Sequence, residues 1–458
     1  MKSASVQASG FHRQSLRHHQ GETGAIGRAI NRAAAAEEER ERAERVAAEQ
    51  VARLAAEGVL FTQGYSNSPV CSPTRFALIS GRWQYRLRGA AEEPLTGAKA
   101  MRRPDLGMPP EHPTFASLLR DAGWRTALIG KWHLGYPPHF GPLKSGYDIH
   151  FGPYSGGVDY FTHQSMKGRP DLWEDGALIE REGYLTDLLS DRAVDFVRDC
   201  GERGDPFLLS LHYTAPHWPW ETRDDAHVPA TLNGAIQHAD GGSIHIYRRM
   251  IEHMDEGIGK LMAELGRLGI ADDTLIVFTS DNGGERFSDN WPLIGGKMDL
   301  TEGGIRVPYV VRWPSHVKAG QSCATPVITM DWSATFLAAA GVAEHPDYPM
   351  DGVSLVPLLG DPDGVALDRG LFWRMKYRDQ HAMRRGWWKY LKIEDNEYLF
   401  DLSKDERERA NRARHEPRIL ESMKAEYAAW YASLPPVPPD ADYDLVVTEK
   451  DMPGMHRG

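Results

Sequence analysis

Short apolar segments that alternate with helical patterns are the feature that most constrains the fold of this chain. Strand-like segments, each ended by Gly, Pro or polar residues, lie at 59–62, 125–129, 207–211, 275–279 and 307–311. Helical periodicity occupies the stretches 115–122, 185–200, 246–268 and 332–340. Strands that alternate with helices favour a mostly parallel sheet covered by helices on both faces. We therefore predict a large α/β fold, with ligands bound at the carboxyl ends of its strands.

The pattern of apolar and polar residues changes beyond about residue 368. Four short amphipathic strands and a final helix predict a small antiparallel sheet closed by that helix; they lie at 371–373, 380–383, 387–391, 397–400 and 417–434. We predict a disordered or atypical N-terminal segment at 1–32, an α/β domain at 33–367 and a C-terminal α+β subdomain with a tail at 368–458. An Ala/Glu/Arg-rich helix is expected within 33–57.

Composition excludes several classes of protein. The formal net charge of −11 argues against a general nucleic-acid binder, which would present a basic face. Three cysteines are too few for a disulfide framework, so Cys200 and Cys323 are interpreted as ordinary buried thiols. No run approaches the length of a membrane-spanning helix. The first twenty residues carry no apolar stretch, so we predict a cytoplasmic protein as encoded, or an exported one if the true N-terminus has been lost.

Polar motifs follow the predicted strands. The string CSPTR, from Cys71 to Arg75, comes after the first strand, although a lone cysteine is most often simply buried. Lys131 and His133 follow the second strand, two residues apart, so in extended backbone they face the same side. His217 follows the third strand, between prolines that stiffen its backbone. Taken singly, the cysteine and the Lys-x-His pair are more typical of structural or surface roles, and His217 is equally compatible with function and with packing.

Two further motifs carry oxygen ligands and a cation. Asp281 and Asn282 follow the fourth strand, in an Asp-Asn-Gly sequence that is also ordinary turn chemistry. Carboxylate and amide oxygens are, however, good ligands for a hard divalent cation such as Ca²⁺. Lys297 lies in the glycine-rich block 295–308.

Taken in order, these five blocks resemble the signature of the sulfatase family, whose fold is alkaline-phosphatase-like. In that family the cysteine of a Cys-x-Pro-x-Arg string is oxidised by a formylglycine-generating enzyme to formylglycine. The resemblance covers roughly residues 54–434. It implies hydrolysis of a sulfate ester of a small molecule or carbohydrate, through a formylglycine made from Cys71, without nucleic-acid or membrane partners.

The resemblance also implies a role for each residue. Arg75 would hold the hydrated aldehyde, and Lys131 would contact the aldehyde and the sulfate. His133 would act as the base of the second step. His217 would bind sulfate and protonate the leaving oxygen, and Lys297 would meet the sulfate. A divalent metal, expected to be Ca²⁺, would be held by Asp281, Asn282 and the modified Cys71.

The chain departs from the family pattern before Cys71. A consecutive acidic pair at the end of a first strand, which supplies further metal ligands in sulfatases, is missing. The acidic residues within 37–44 are interleaved with Arg, as on a solvated helix face. Since Ca²⁺ takes about six or more oxygens, we predict an incomplete metal site, the loss of one central strand, and impaired or absent catalysis.

Other interpretations stay open from the sequence. A phosphonate or phosphate ester hydrolase on the same fold would share the modified cysteine and most of the ligands. A non-catalytic binding protein would use the Arg/Glu-rich N-terminal helix as a partner surface. The aromatic segments 154–160 and 218–220 are candidates for substrate loops or for simple packing. The particular sulfate ester and the oligomeric state are not assigned.

Overall fold

The computed structural model describes residues 48–232, 241–362 and 364–443. Its helices are α1 (Glu49–Ala56), α2 (Cys71–Ser80), α3 (Gly97–Ala100), α4 (Phe115–Asp121), α5 (Leu185–Arg203), α6 (Pro229–Leu232), α7 (Ile244–Arg267), α8 (Glu302–Ile305), α9 (Asp331–Ala339), α10 (Val356–Gly360) and α11 (Pro417–Ala432). Its strands are β1 (Val59–Phe61), β2 (Gly64–Tyr65), β3 (Arg125–Gly130), β4 (Ile149–Gly152), β5 (Trp173–Glu174), β6 (Ala177–Leu178), β7 (Phe207–His212), β8 (Ile276–Thr279), β9 (Tyr309–Arg312), β10 (Gln321–Cys323), β11 (Val327–Ile328), β12 (Gly370–Met375), β13 (Gln380–Arg385), β14 (Trp388–Ile393) and β15 (Asn396–Asp401). Short 3₁₀ helices lie at Gln84–Arg86, Arg88–Ala91, Pro142–Ser145, Ala271–Asp273 and Tyr377–Asp379.

Two sheets form the centre of the α/β part. One has the order β6-β5-β4-β3-β7, in which β3 runs parallel to both β4 and β7. The other has the order β10-β1-β9-β8, in which β1 is parallel to β10 and antiparallel to β9. The predicted α/β class is confirmed, but the expected large sheet is interrupted. Within the described ranges, no strand pairs with the outer edge of β7 or of β8.

Helices cover both faces of these strands. On one face, α5 and α7 pack on each other and on the sheet through an apolar cluster that includes Phe196, Val197 and Met250. On the other face, α2 and α4 pack through a cluster that includes Phe76, Phe115 and Leu128. This layering is the arrangement that nearly continuous apolar strands require, because both of their faces must be buried.

The C-terminal subdomain has the predicted form. Strands β12 to β15 make a four-stranded antiparallel sheet in consecutive order, and α11 packs on it. A buried ion pair joins this sheet to the α/β part, with Lys389 Nζ 2.9 Å from Glu302 Oε1 and 2.8 Å from Glu408 Oε1. Glu302 begins α8, within the glycine-rich block that also carries Lys297. The small sheet therefore anchors a loop of the candidate site.

The helix after the cysteine motif starts earlier than the sequence indicates. Residues 76–81 suggest a helix facing the site, but the observed helix begins at Cys71 itself. Pro73 lies in its first turn, where a missing backbone N–H costs nothing. The Thr74 hydroxyl donates to the Ser68 carbonyl and accepts from the Ser68 amide, both at 3.0 Å, which fixes the preceding loop against the helix.

Some segments predicted from the sequence lie outside the described residues, and some observed strands were not predicted. The expected N-terminal segment 1–32 and most of the expected helix within 33–57 lie outside the described residues. Short strands such as β4, β5 and β10, of four residues or fewer, carry too little periodicity to be predicted. Among the helices that the structure describes, none combines the length and apolar character needed to cross a bilayer.

Candidate active site

Cys71 lies at the first position of α2 and is only 4% exposed. Its helix places it at the carboxyl ends of β3, β7 and β8, where Lys131, His212 and Asp281 follow or end those strands. The amide of Leu95 donates to Ser72 Oγ at 2.8 Å and fixes a neighbouring loop beside the helix start. The thiol therefore sits at the strand edge where ligands gather in α/β sheets.

Arg75 connects three of the predicted motifs. Its Nε donates to Asp281 Oδ2 at 2.8 Å, and its Nη1 donates to the Lys131 carbonyl at 2.7 Å. Nη1 also lies 3.1 Å from His212 Nδ1. Burial and the Arg75 charge lower the pKa of His212 to about 3, so this ring is neutral. Arg75 thus links the ends of three strands through hydrogen bonds and also places a positive charge beside Cys71.

His133 is held with one ring nitrogen directed toward Cys71. Its Nε2 donates to the Leu95 carbonyl at 2.7 Å, which leaves Nδ1 without a hydrogen-bond partner and next to the thiol. Its backbone has a φ of 61°, a left-handed conformation that is uncommon outside glycine. Burial lowers the pKa of the ring, so His133 is a neutral base at physiological pH.

His217 and Lys297 form a second pair beside the thiol. His217 Nδ1 donates to the Trp218 carbonyl at 2.8 Å, so Nε2 faces Lys297 Nζ at 3.4 Å. Lys297 Nζ also donates to Glu285 Oε2 at 2.9 Å. Burial opposes the Lys297 charge, but Glu285 and Cys71 outweigh it and raise the pKa of Lys297. Burial followed by the Lys297 charge lowers the pKa of His217.

The combined field of these groups favours an anion at position 71. Burial and Asp281 would each raise the pKa of the Cys71 thiol. The charges of Lys131 and Lys297 outweigh both and lower that pKa well below its usual range. A buried position that stabilises negative charge is suited to an anionic ester and to a charged nucleophile.

The predicted site residues come together around one cavity. The cavity has a volume of about 1400 Å³, and its lining includes Cys71, Arg75, Lys131, His217, Asp281, Asn282 and Lys297. His133 is buried behind Cys71 rather than on the cavity wall. The convergence of these residues is a structural fact, whereas the chemical role of each stays a prediction.

The donors present fit a divalent metal only in part. Asn282 Oδ1 is buried without a hydrogen-bond partner, as an unfilled ligand would be. The charges of Arg75 and Lys131 overcome the effect of burial and hold the pKa of Asp281 far below its usual range, so its carboxylate is ionised. Across the described ranges, however, no group of three or more His, Cys, Asp or Glu side chains could hold a metal ion. Asp281 and Asn282 supply at most three side-chain oxygens, short of the six or more that Ca²⁺ takes.

The sequence did not point to two residues of the site. His212 ends β7 inside an apolar segment, and its only signal is a polar residue at the carboxyl end of a strand. Glu285 directly follows the Asp-Asn-Gly-Gly turn, and its proximity to Lys297 depends on the fold of the intervening loop. Both are defined by tertiary contacts rather than by local pattern.

The aromatic segments are packed into the structure. Tyr154, Tyr160, Trp218 and Trp220 are all buried. Tyr160 donates its hydroxyl to the His217 carbonyl at 2.9 Å and so supports the histidine. Trp218 and Trp220 also line the cavity, so packing and substrate contact both stay open for this segment.

A family model described as Sulfatase matches residues 38–342, about two thirds of the chain. The chain belongs to the sulfatase family. A second model, N-sulphoglucosamine sulphohydrolase C-terminal, matches residues 296–428, which include the small antiparallel sheet. The fold is therefore alkaline-phosphatase-like, as the resemblance implied, and the family in general uses a formylglycine and a divalent metal.

Known proteins similar to this sulfatase family member include N-acetylgalactosamine-6-sulfatase of Mus musculus, 33% identical over 70% of this chain and 62% of that protein. The chain thus spans under two thirds of the length of the curated relative. A solved structure of Ps i-CgsB in complex with k-i-k-neocarrahexaose has a TM-score of 0.74 and 30% identity, covering 84% of this chain and 87% of that one. The phosphonate monoester hydrolase of Agrobacterium radiobacter has a TM-score of 0.57 and 20% identity, covering 84% and 90%, and so shares the fold.

Proposed function

We propose that this sulfatase family member hydrolyses a sulfate ester of a carbohydrate. The observation that carries the proposal is the set of three cations and two histidines around the buried Cys71 thiol. The substrate class is supported by relatives whose names or bound molecules are carbohydrates, namely an N-acetylgalactosamine-6-sulfatase and a neocarrahexaose complex.

Formylglycine at position 71, once hydrated, would supply a nucleophilic hydroxyl and a second hydroxyl that permits release of sulfate. Around it, Lys131 and Lys297 would neutralise the non-bridging sulfate oxygens. His217, with Nδ1 donating to the Trp218 carbonyl, has Nε2 free to accept, and would relay a proton from Lys297 Nζ, 3.4 Å away, to the leaving oxygen. His133 presents Nδ1 toward position 71 and would accept a proton there.

A metal would be bound by Asp281 and Asn282 and would add positive charge next to the sulfate. Because the described donors supply only part of such a site, we assign charge neutralisation and proton transfer to side chains alone. We propose that this chain hydrolyses its substrate slowly. The divalent cation would be the largest positive charge in the pocket, and its ligands are too few to hold it tightly.

The test is to co-express the chain with a formylglycine-generating enzyme and to measure the mass of the peptide that contains residue 71. Turnover of an aryl sulfate, a sugar sulfate and an aryl phosphonate is then compared. We expect conversion of Cys71, and sulfate turnover above the level of Cys71→Ala. Cys200→Ala, which changes another buried free cysteine, should behave as the unsubstituted chain.

Two outcomes would contradict the proposal. A clear preference for the phosphonate would favour the related phosphonate or phosphate ester hydrolase. An unmodified thiol with no turnover of any ester would favour a non-catalytic binding protein on the sulfatase fold.

A further inference from the structure

The loop between Glu285 and Lys297 carries a tryptophan at its tip. The two ends of the loop are joined, because Lys297 Nζ donates to Glu285 Oε2 at 2.9 Å and the Lys297 amide donates to the Gly284 carbonyl at 3.0 Å. Trp291 stands midway between these ends in the sequence. The loop that holds Lys297 beside the thiol therefore also fixes the position of Trp291.

Trp291 lies where the cavity opens to solvent. It lines the same cavity as Cys71, yet its side chain is 69% exposed, the largest exposure of any large apolar side chain in the described ranges. A single exposed apolar residue needs no explanation on an ordinary surface. An indole at the mouth of a candidate active site is different, because its broad apolar face is available to whatever enters.

Hydrogen bonds hold the tip of the loop in place. The Trp291 amide donates to Asp289 Oδ1 at 3.0 Å, and the Leu293 amide donates to the Asn290 carbonyl at 2.8 Å. Asn290 Nδ2 donates to the Gly295 carbonyl at 3.0 Å across the loop. A surface that is ordered before its ligand arrives loses less conformational entropy on binding.

Arg407 lies over the Trp291 ring from the loop between β15 and α11. Its Cζ is 3.8 Å from the ring centroid. Arg407 is half-buried, its Nε is buried without a partner, and it makes no hydrogen bond or ion pair with the residues that the structure describes. Because a guanidinium group carries five N–H donors, the pair offers an apolar ring and unused donors side by side.

Polar side chains accompany this pair at the mouth of the cavity. Ser288 and Asp289 line the cavity just before Trp291, and Glu406 lines it next to Arg407. A wholly apolar ligand, such as a sterol, would leave these groups without partners. A sugar ring suits them, because it has an apolar C–H face for the indole and a polar edge for the donors and acceptors around it.

The depths of the two ends of the loop indicate which part of a ligand meets Trp291. The Lys297 side chain is only 12% exposed, whereas that of Trp291 is at the surface. A ligand whose anionic group reaches Lys297 and Cys71 therefore extends outward past Trp291. The unit beside Trp291 is the neighbour of the one that carries the anion.

We propose that Trp291 and Arg407 form a subsite for the sugar unit next to the sulfated one. The apolar face of that sugar packs on the Trp291 ring, and its polar edge meets Arg407. This inference rests on the proposed hydrolysis of a carbohydrate sulfate. It assigns sulfated oligosaccharides, rather than single sulfated sugars or aryl sulfates, as the substrate class.

The test measures binding separately from turnover. Cys71→Ala is titrated by isothermal calorimetry with sulfated hexasaccharides prepared from chondroitin sulfate and from carrageenan. N-acetylgalactosamine 6-sulfate and galactose 4-sulfate are the matching single sugars. We expect a hexasaccharide to bind about tenfold more tightly than its single sugar. Adding Trp291→Ala should remove that advantage and leave the affinity for the single sugar unchanged.

A second tryptophan provides a matched control. Trp387 is also exposed and has an arginine over its ring, Arg384 at 5.4 Å, but it does not line the cavity. Trp387→Ala should leave both affinities unchanged. Trp291→Phe, which keeps an aromatic face, should retain most of the hexasaccharide advantage, and Arg407→Ala should reduce it severalfold.

Turnover gives a second readout of the same variants. In the formylglycine form of the chain, Trp291→Ala should raise KM for the hexasaccharide about tenfold and leave kcat unchanged, because Trp291 does not touch the reacting atoms. Both constants for an aryl sulfate should stay at the level of the unsubstituted chain.

Four results would overturn the subsite. They are no binding of either hexasaccharide, equal affinity for hexasaccharide and single sugar, an unchanged advantage in Trp291→Ala, or an equal loss in Trp387→Ala. Binding that depends on Trp291 without any turnover would support the subsite and contradict the proposed hydrolysis. Turnover of a sulfate ester with binding that is independent of Trp291 would do the reverse.

Discussion

At the scale of single residues, Arg75 shows how one side chain joins distant parts of the sequence. It contacts Lys131, His212 and Asp281, which follow or end three different strands. Its planar fork can reach all three at once, which an ammonium group cannot do. The position therefore requires arginine for its geometry as well as for its charge.

We expect Arg75→Lys to lower the free energy of unfolding by about 1–3 kcal/mol, because the buried Asp281 carboxylate and the Lys131 carbonyl lose donors. Urea unfolding followed by circular dichroism measures this. Arg120→Lys is the matched control, since Arg120 pairs with Asp121 on the surface. Equal free energies of unfolding for the two variants would show that the Arg75 hydrogen bonds do not contribute to stability.

Glu221 predicts a pH dependence of stability. It is fully buried, its Oε2 accepts from the Tyr160 amide at 3.0 Å, and its Oε1 has no partner. Burial, with the neighbouring Asp159, raises its pKa to about 8. The folded state thus holds the proton more tightly than the unfolded state, where the pKa is near 4.3. Its contribution to stability is complete below pH 4.3 and is lost as the pH rises through about 8.

We expect the free energy of unfolding to fall between pH 5 and pH 8, by at most about 1.4 kcal/mol per pH unit for this group. Glu221→Gln should flatten the slope, because the amide cannot ionise. Urea midpoints at several pH values test this, with the exposed Glu111→Gln as control. An unchanged slope in Glu221→Gln would contradict the assignment.

At the scale of elements, the loop after β4 carries glycines at the two positions where its backbone lies against the site histidines. A Cβ at Gly156 would lie 2.4 Å from Cε1 of His133, and one at Gly157 would lie 3.0 Å from Cε1 of His217. Both glycines let backbone approach the histidines closely. The backbone at these two positions therefore limits where the rings can lie, and the Tyr160 hydroxyl adds a hydrogen bond to the His217 carbonyl.

Gly156→Ala should therefore displace His133 and lower turnover by about 10²-fold or more, the range for a general base that loses its position. The effect should fall on kcat rather than KM, since substrate contacts remain. Gly266→Ala, on an open face of α7 with no atom within 4 Å of the added Cβ, is the control. Wild-type kcat in Gly156→Ala would mean that His133 has no role in turnover.

A buried lysine lies at the contact between the C-terminal sheet and the glycine-rich block, beside hydrogen bonds from Gln380 to the same block. Lys389 is completely buried between Glu302 and Glu408, and Tyr65 donates its hydroxyl to Glu302 Oε2 at 2.6 Å. Lys389→Met would leave two buried carboxylates without their cation. We expect a loss of about 3–5 kcal/mol in the free energy of unfolding.

Chemical denaturation measures the effect, with Lys404→Met as control, because Lys404 pairs with Asp401 at the surface and should change stability by less than about 0.5 kcal/mol. Similar midpoints for the two variants would show that the buried triad is dispensable.

At the scale of the whole molecule, metal content tests the completeness of the site. The described residues offer Asp281 and Asn282 as oxygen ligands, which predicts weak binding. We expect well below one divalent ion per chain after gel filtration in calcium buffer, measured by elemental analysis, and no change in Tm on adding EDTA. One tightly held ion per chain would show that other oxygens complete the site.

Much of the fold followed from the sequence because it depends on local periodicity. Strands β3, β7 and β8 and helices α4, α5 and α7 are apolar segments whose spacing identifies them without neighbours. The cysteine, lysine and histidine motifs were likewise recognisable, because each lies beside such a segment. The start of α2 was misplaced because its first turn is fixed by Thr74 and Ser68, a contact outside helical periodicity.

The sequence by itself therefore determined the α/β class, the family resemblance and the identity of the motif residues, all of which reside in local order along the chain. Only the tertiary structure decided that Arg75 would join Asp281 to Lys131 and that His212 and Glu285 would enter the site. The physical reason is that these features depend on distances between residues far apart in the chain, which are set by packing and backbone pairing rather than by local preference.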